Sequence, residues 1–315
     1  MSENKPLIIL TGPTAVGKTK LSLQLAQKIG GEIISADSMQ VYQYMDIGTA
    51  KLPRNQMQGV RHHLINICKP WEEFNVVKFA AAAKSAIEDI YSRGKIPVIA
   101  GGTGFYIQAV LYDIHFDPTQ DDNTYRTELE MLAEEKGLDY LHDMLEQVDH
   151  VSAELIHKNN KKRVIRALEY YKQTGKPISD HNLEERQRTS PYDFHYFVLT
   201  DHRENLYANI DQRVDEMMAD GLVDEVKELM NKGCNLDMVS MQGLGYKEVA
   251  EYLQGNITYE EAVYLIKRDT RHFAKRQLTW FKRESEVEWF DKSSYGYDDE
   301  LILNEMMNRV KNKEN

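Results

Sequence analysis

The chain has 315 residues, enough for two domains of ordinary size or one large domain carrying an insertion. Hydrophobic residues at 42% and charged residues at 28% exclude a disordered or fibrous chain, and no run approaches the ~18 uninterrupted apolar residues of a membrane helix. The net charge of −11 argues against a sequence-independent coat for nucleic acid but leaves local basic patches open.

Met1 to Pro6 carries no basic region or cleavage site, so no secretory signal is expected. The apolar, β-branched run PLIILT (Pro6 to Thr11) predicts a buried parallel strand. It meets GPTAVGKT, after which Leu21, Leu23, Leu25 and Ala26 fit a helix ending near Gly30-Gly31. A second strand is expected at Glu32 to Ala36, stopping at Asp37. A helix follows at Val76 to Ser92, then a third strand at Ile96 to Ala100 that stops at Gly101-Gly102-Thr103-Gly104. Strands alternating with helices predict an α/β fold, a P-loop parallel sheet flanked by helices. Beyond Asp117 the pattern turns helical: Thr124 to Lys136, Leu138 to Val148, Ser152 to His157 and Lys161 to Gln173. An all-helical insertion domain is therefore expected over residues 118–190. Residues 1–117 and 191–315 make the core, completed by a strand at Phe194 to Leu199. Helices are expected at Glu204 to Asp220, Leu222 to Lys232, Tyr246 to Gln254 and Tyr259 to Arg283, with a last one within Asp291 to Asn315.

Charge is unevenly spread. Glu128 to Asp149 nets −7, whereas His157 to Arg188 and Ile266 to Glu284 each net +5. One basic run is ordinarily a solvated helix face; two in an acidic chain make a phosphate-rich partner plausible. Cys68 and Cys234 lie 166 positions apart, too few and too far for a four-ligand zinc site, and fit a reducing compartment. His62-His63 lacks a third ligand at useful spacing.

Gly12, Pro13, Thr14, Ala15, Val16, Gly17, Lys18 and Thr19 match G-x-x-x-x-G-K-S/T between a predicted strand and helix. Glycines let backbone N–H groups turn around an anion, and the helix N-terminus adds partial positive charge. Lys18 supplies a full charge, and the Thr19 hydroxyl can ligate Mg2+. The loop thus reads as a phosphate or diphosphate cradle. P-loop hydrolases use a second strand-end acid for Mg2+, yet IPVIA ends in GGTG; Asp37 is the acid at a strand end. It could serve as metal-sphere ligand, base or turn cap. Residue chemistry alone favours a P-loop transferase and leaves kinase and non-kinase chemistry nearly level.

The segments ADSMQVYQYMDIGTAK (Ala36 to Lys51), GGTGFY, KKRVIRALEYY, IDQRVDEMMADGLVDEV, GLGYKEV and TRHFAKRQLTWFKR, together with GPTAVGKT, resemble the tRNA dimethylallyltransferase (tRNA isopentenyltransferase) family from about residue 6 to 291. The resemblance implies transfer of a prenyl group from dimethylallyl diphosphate to N6 of the adenine 3′ of the anticodon. The target tRNAs read codons beginning with U. It also implies the tRNA anticodon stem-loop as partner; Mg2+ as cofactor, no membrane partner, a monomer and a cytoplasmic location are further expectations.

Asp37 then holds the amine and accepts its proton, Thr103 lies beside the adenine, and Arg213 contacts the diphosphate. Without the resemblance, Arg213 would read as a surface arginine paired with Asp211 or Asp215. Asp37, Ser38, Met39 and Gln40 correspond to the segment that touches the flipped base. By the same resemblance Arg126, Lys162, Arg163 and Arg166 contact tRNA, Arg163 and Arg166 sharing one helix face. So do Gln242, Gly245, Tyr246, Lys247, Lys275, Arg276, Gln277, Trp280 and Lys282. The sequence departs from the family at Asn159-Asn160-Lys161, where an Asp is usual, and at Asn209, where a second arginine is common.

Overall fold

A computed structural model of the chain describes residues 5–116 and 124–313. The chain divides into two compact units, one made of Met1–Leu111 and Pro191–Asn315 and the other of Tyr112–Ser190. The change of pattern expected at 117–118 lies outside the described residues.

The larger unit is built on a six-stranded sheet. Its strands are β1 (Pro6–Thr11), β2 (Glu32–Ser35), β3 (His62–His63), β4 (Pro97–Gly101), β5 (Asp193–Thr200) and β6 (Val287–Asp291), in the order β3-β2-β4-β1-β5-β6. Every neighbouring pair is parallel. Leu7 to Leu10 are all nearly inaccessible, as a strand covered on both faces requires. Helices α1 (Lys18–Ile29), α2 (Val76–Ser92), α3 (Gly104–Leu111), α8 (Arg203–Ala219), α9 (Leu222–Asn231), α10 (Tyr246–Leu253), α11 (Tyr259–Phe281) and α12 (Asp299–Lys313) belong to the same unit. Side-chain caps fix the starts of α2 and α11. The Asn75 side chain caps α2 by accepting from Lys78 N, and Thr258 caps α11 by accepting from Glu261 N. Leu21 and Leu25 of α1 join Ile8, Leu10, Phe197, Phe290 and Ile302 in one buried cluster.

Expected strands and helices of this unit are present, with four additions over the whole chain. β3 and β6 are short edge strands, too brief for periodicity to signal. α3 follows GGT directly, and α7 (Ile178–Arg186), in the smaller unit, starts after Pro177. The smaller unit also contains α4 (Thr124–Val148), α5 (His150–Leu155) and α6 (Lys161–Thr174). Gly137, with φ 87 and ψ 169, breaks α4 where two helices were expected. Leu129, Leu141, Leu145, Val164 and Leu168 form this unit's core. At the departure of 159–161, the Asn160 side chain caps α6 by accepting from Arg163 N at 3.4 Å. Among the described residues no helix is long and apolar enough to cross a membrane.

Candidate active site

In an all-parallel sheet the C-terminal strand ends share one edge, where α/β proteins bind ligands. Here Thr11 is in register with Gly101, and Ser35 with Ala100. The loops that follow, 12–17, 36–40 and 102–103, therefore leave the sheet side by side. They line a cleft of about 980 Å3 whose walls lie within the larger unit.

The phosphate loop is shaped by close backbone approach. Gly12 has φ +144, and a Cβ there would fall onto the carbonyl oxygen of Leu199. Lys18 Nζ donates to the carbonyl oxygens of Gly12 at 2.9 Å and Pro13 at 2.7 Å. Burial, reinforced by repulsion from Arg213 and opposed by Asp37, lowers the Lys18 pKa to about 7. Arg213 reaches the loop from α8, its Nη1 lying 3.5 Å from Thr14 Oγ1. Asp211 and Asp215, the partners a surface arginine would take, are held by Arg271 at 2.7 Å and Lys267 at 2.6 Å. Arg213 is thus turned inward, its own pKa lowered by burial despite Asp37 nearby. The Lys18 and Arg213 cations and the Asp37 carboxylate thus share a cleft that Lys51, Arg276, Asp46, Glu216 and Asp220 also line.

Asp37 lies just beyond β2. Its Oδ1 accepts from Met39 N at 2.8 Å and Gln40 N at 3.3 Å, an Asx turn that fixes the carboxylate. Ser38 N donates to Thr103 Oγ1 at 3.2 Å, and Thr103 N to Ala36 O at 3.1 Å, joining the two loops. Gln277 of α11 joins a third. Its Oε1 accepts from Thr14 N at 2.8 Å while its Nε2 donates to Gly102 O at 2.9 Å.

The expected site residues separate into groups. Thr14, Ala15, Gly17, Lys18, Thr19, Asp37, Ser38, Met39, Gln40, Thr103, Arg213, Gln242, Tyr246, Arg276 and Gln277 line the cleft, as does Asn209. Gly12, Pro13, Val16 and Gly245 are buried behind it. Gln277 is only 6% exposed and both ends of its amide are engaged within the protein, so its first role is to hold loops. Tyr246 is fully buried and donates to Glu225 at 2.6 Å. Trp280 is partly buried, edge-to-face with Phe105 at 6.1 Å, and Phe281 is core. Lys247, Lys275, Arg276 and Lys282 are exposed. In the smaller unit Lys162 and Arg163 are exposed and Arg166 half-buried, whereas Arg126 grips the buried Glu169 through two bonds of 2.9 and 2.7 Å. His63 shares a 2.8 Å hydrogen bond with Glu32, which also accepts from Arg93 and Lys95.

Sequence reasoning missed Glu225 and the clamping role of Gln277. For Gln277 a signal existed: it falls on the buried stripe of α11 with Ala274 and Phe281. Among the described residues no three His, Cys, Asp or Glu side chains cluster as a metal site. The hydroxyl of the exposed Thr19, which lines the cleft, is a hard oxygen donor, fitting a Mg2+ that takes most of its shell from water and phosphate oxygens.

A family model described as IPP transferase matches residues 40–284, and one described as isopentenyl transferase matches residues 5–73. The chain belongs to the IPP transferase family. A family relative, the tRNA dimethylallyltransferase of Lachnoclostridium phytofermentans, is 61% identical over 310 residues, covering 98% of this chain and 99% of that one. The crystal structure of the full-length tRNA isopentenylpyrophosphate transferase of Bacillus halodurans superposes with a TM-score of 0.74 at 43% identity, covering 99% of this chain and 98% of that one. A eukaryotic dimethylallyltransferase acting on tRNA gives 0.79 at 33% identity, over 91% of this chain and 74% of that one.

Proposed function

We propose that this transferase moves a dimethylallyl group from dimethylallyl diphosphate to N6 of the adenine immediately 3′ of the anticodon, in tRNAs reading codons that begin with U. The observation carrying this reading is a single cleft that combines a phosphate loop, the inward cations Lys18 and Arg213, and the Asp37 carboxylate. An exocyclic adenine amine is a weak nucleophile because its lone pair is delocalised into the ring. As it attacks C1 of the donor, the N6–C1 bond forms and the C1–O bond breaks. The bonding pair leaves with the diphosphate, and the amine proton passes to the Asp37 carboxylate. A positioned base of this kind contributes ~10²–10⁴-fold in rate.

Lys18, Arg213 and the loop N–H groups stabilise charge where it develops on the leaving group. The Arg213 guanidinium can take two phosphate oxygens at once. Thr19 would hold a Mg2+, which would supply further charge neutralisation at the leaving diphosphate. Because no γ-phosphoryl moves, the strand-end acid of a nucleotide hydrolase is not required after β4. The base stacked in its loop must be extruded to reach Asp37, and Ser38, Met39, Gln40 and Thr103 line the place where it enters. Exposed cations on α6 and α11 (Lys162, Arg163, Lys275, Arg276 and Lys282) are suited to the RNA backbone.

Incubation with dimethylallyl diphosphate labelled in the prenyl group, or with γ-labelled ATP, each with and without tRNA, tests the reaction class. Label entering RNA from the diphosphate supports it. Phosphate release from ATP that depends on tRNA overturns it.

A further inference from the structure

We infer that Glu225 is a positioning residue for Asp37: from outside the cleft it clamps the 46–48 backbone, which in turn holds the turn carrying Asp37. The inference rests on the proposed reading of the site. Glu225 Oε2 accepts from Asp46 N and Ile47 N, both at 2.8 Å, and Oε1 accepts from Gly48 N at 3.2 Å. Three successive amides converging on one anion form a nest. In many proteins such a nest takes a phosphate; here a side chain of α9 fills it. Glu225 stands in the first turn of α9, where the helix dipole favours its charge.

Tyr246 completes the clamp. Its hydroxyl donates to Glu225 Oε1 at 2.6 Å, and burial, followed by the charge of Glu225, pushes its pKa well above the ordinary value, so it stays a donor. Its ring lies so close that a Cβ on Gly48 would come within 2.6 Å of it. Beyond the nest the chain passes directly to Thr49, whose carbonyl accepts from Gln40 Nε2 at 3.2 Å. Gln40 Oε1 accepts from Ser35 Oγ at 3.0 Å, and Gln40 N donates to Asp37 Oδ1. The path is Glu225, nest, Thr49, Gln40, Asp37. Lys18, Thr14 and Arg213 are not on it.

Glu225→Gln turns an amide N–H2 toward backbone donors and should loosen every link. Misplacing a catalytic group by about 1 Å can cost on the order of 10²-fold. The expected result is therefore a 10- to 100-fold lower kcat, with the KM for dimethylallyl diphosphate within about threefold of the unaltered enzyme. In the background of Gln40→Ala, where the path is already cut, Glu225→Gln should cost less than about threefold more. Amide hydrogen exchange on the full chain supplies a readout that needs no turnover. Exchange should quicken at Asp46 to Gly48 and also at Met39 and Gln40, with the phosphate loop unchanged. Exchange that quickens only at 46–48, or throughout the larger unit, overturns the inference, as do multiplicative kcat losses in the double variant. Tyr246→Phe keeps the ring and removes one bond. It should show the same pattern at smaller size, and it decides the matter if Glu225→Gln does not fold: unchanged exchange and kcat overturn the inference. If the unaltered enzyme transfers no prenyl group, the proposed function fails, while exchange at Met39 and Gln40 still decides the clamp.

Discussion

Oδ1 of Asp37 is committed to the turn, taking Met39 N and Gln40 N, whereas among the described residues Oδ2 accepts nothing. Asp37→Asn retains a carbonyl for the turn and loses the proton acceptor. Its single-turnover rate should fall ~10²–10⁴-fold, with tRNA affinity nearly unchanged. A rate within a few-fold of the unaltered enzyme would remove Asp37 from its role. Lys18 makes a pH prediction. Its pKa is about 7 in the fold against 10.5 for the free side chain, so between these values the unfolded chain binds more protons. Unfolding free energy from this group therefore rises with pH across that window, and the cost of the buried charge is fully present below it. A diphosphate beside Lys18 restores its charge, so donor binding at about pH 8.5 should take up protons. Calorimetry in two buffers of different ionisation heat measures the uptake. It should vanish in Lys18→Met and shrink in Arg213→Ala, where the repulsion lowering the Lys18 pKa is gone. Binding heats independent of buffer would contradict this.

At the scale of elements, α11 does more than carry charge. Gln277→Ala leaves Thr14 N and Gly102 O without their partner at a site 6% exposed, a loss of about 1–3 kcal/mol. Thermal denaturation should show the loss and donor affinity should fall with it, since the phosphate loop is one of the two things held. A variant that weakens only tRNA binding would make Gln277 an RNA contact instead. β1, the phosphate loop and α1 were legible in the sequence because apolar run, glycine spacing and leucine pattern are local and agree. The GGT loop and Asp37 were legible as strand ends. β3 and β6 were not, since two residues, and five of which only Phe290 is buried, leave no period to read. Glu225 was equally silent: an acid in a helix's first turn is ordinary dipole chemistry, and its partners lie 177 to 179 positions away.

On the scale of the whole molecule, a chain of net charge −11 must bind a polyanion through local cations. Arg163 and Arg166 on α6, and Lys275 and Arg276 on α11, are the candidates. Replacing any one by Ala should flatten the log–log salt dependence of tRNA affinity by about 0.7. Turnover at saturating tRNA should hold, because base reading and phosphate contact are separate tasks. An unchanged slope would mark that side chain as a solvated charge. Arg126→Ala should behave differently, leaving the slope alone and lowering the melting temperature, because the buried Glu169 loses both its bonds from Arg126. The central claim is tested most directly by mass spectrometry of nucleosides and nuclease fragments from unmodified tRNA after incubation with the purified protein, Mg2+ and dimethylallyl diphosphate. The predicted result is one N6-dimethylallyl adenosine, in the fragment holding the base 3′ of the anticodon, absent with Asp37→Ala. Unmodified RNA, a prenyl group elsewhere, or full modification by Asp37→Ala would contradict it.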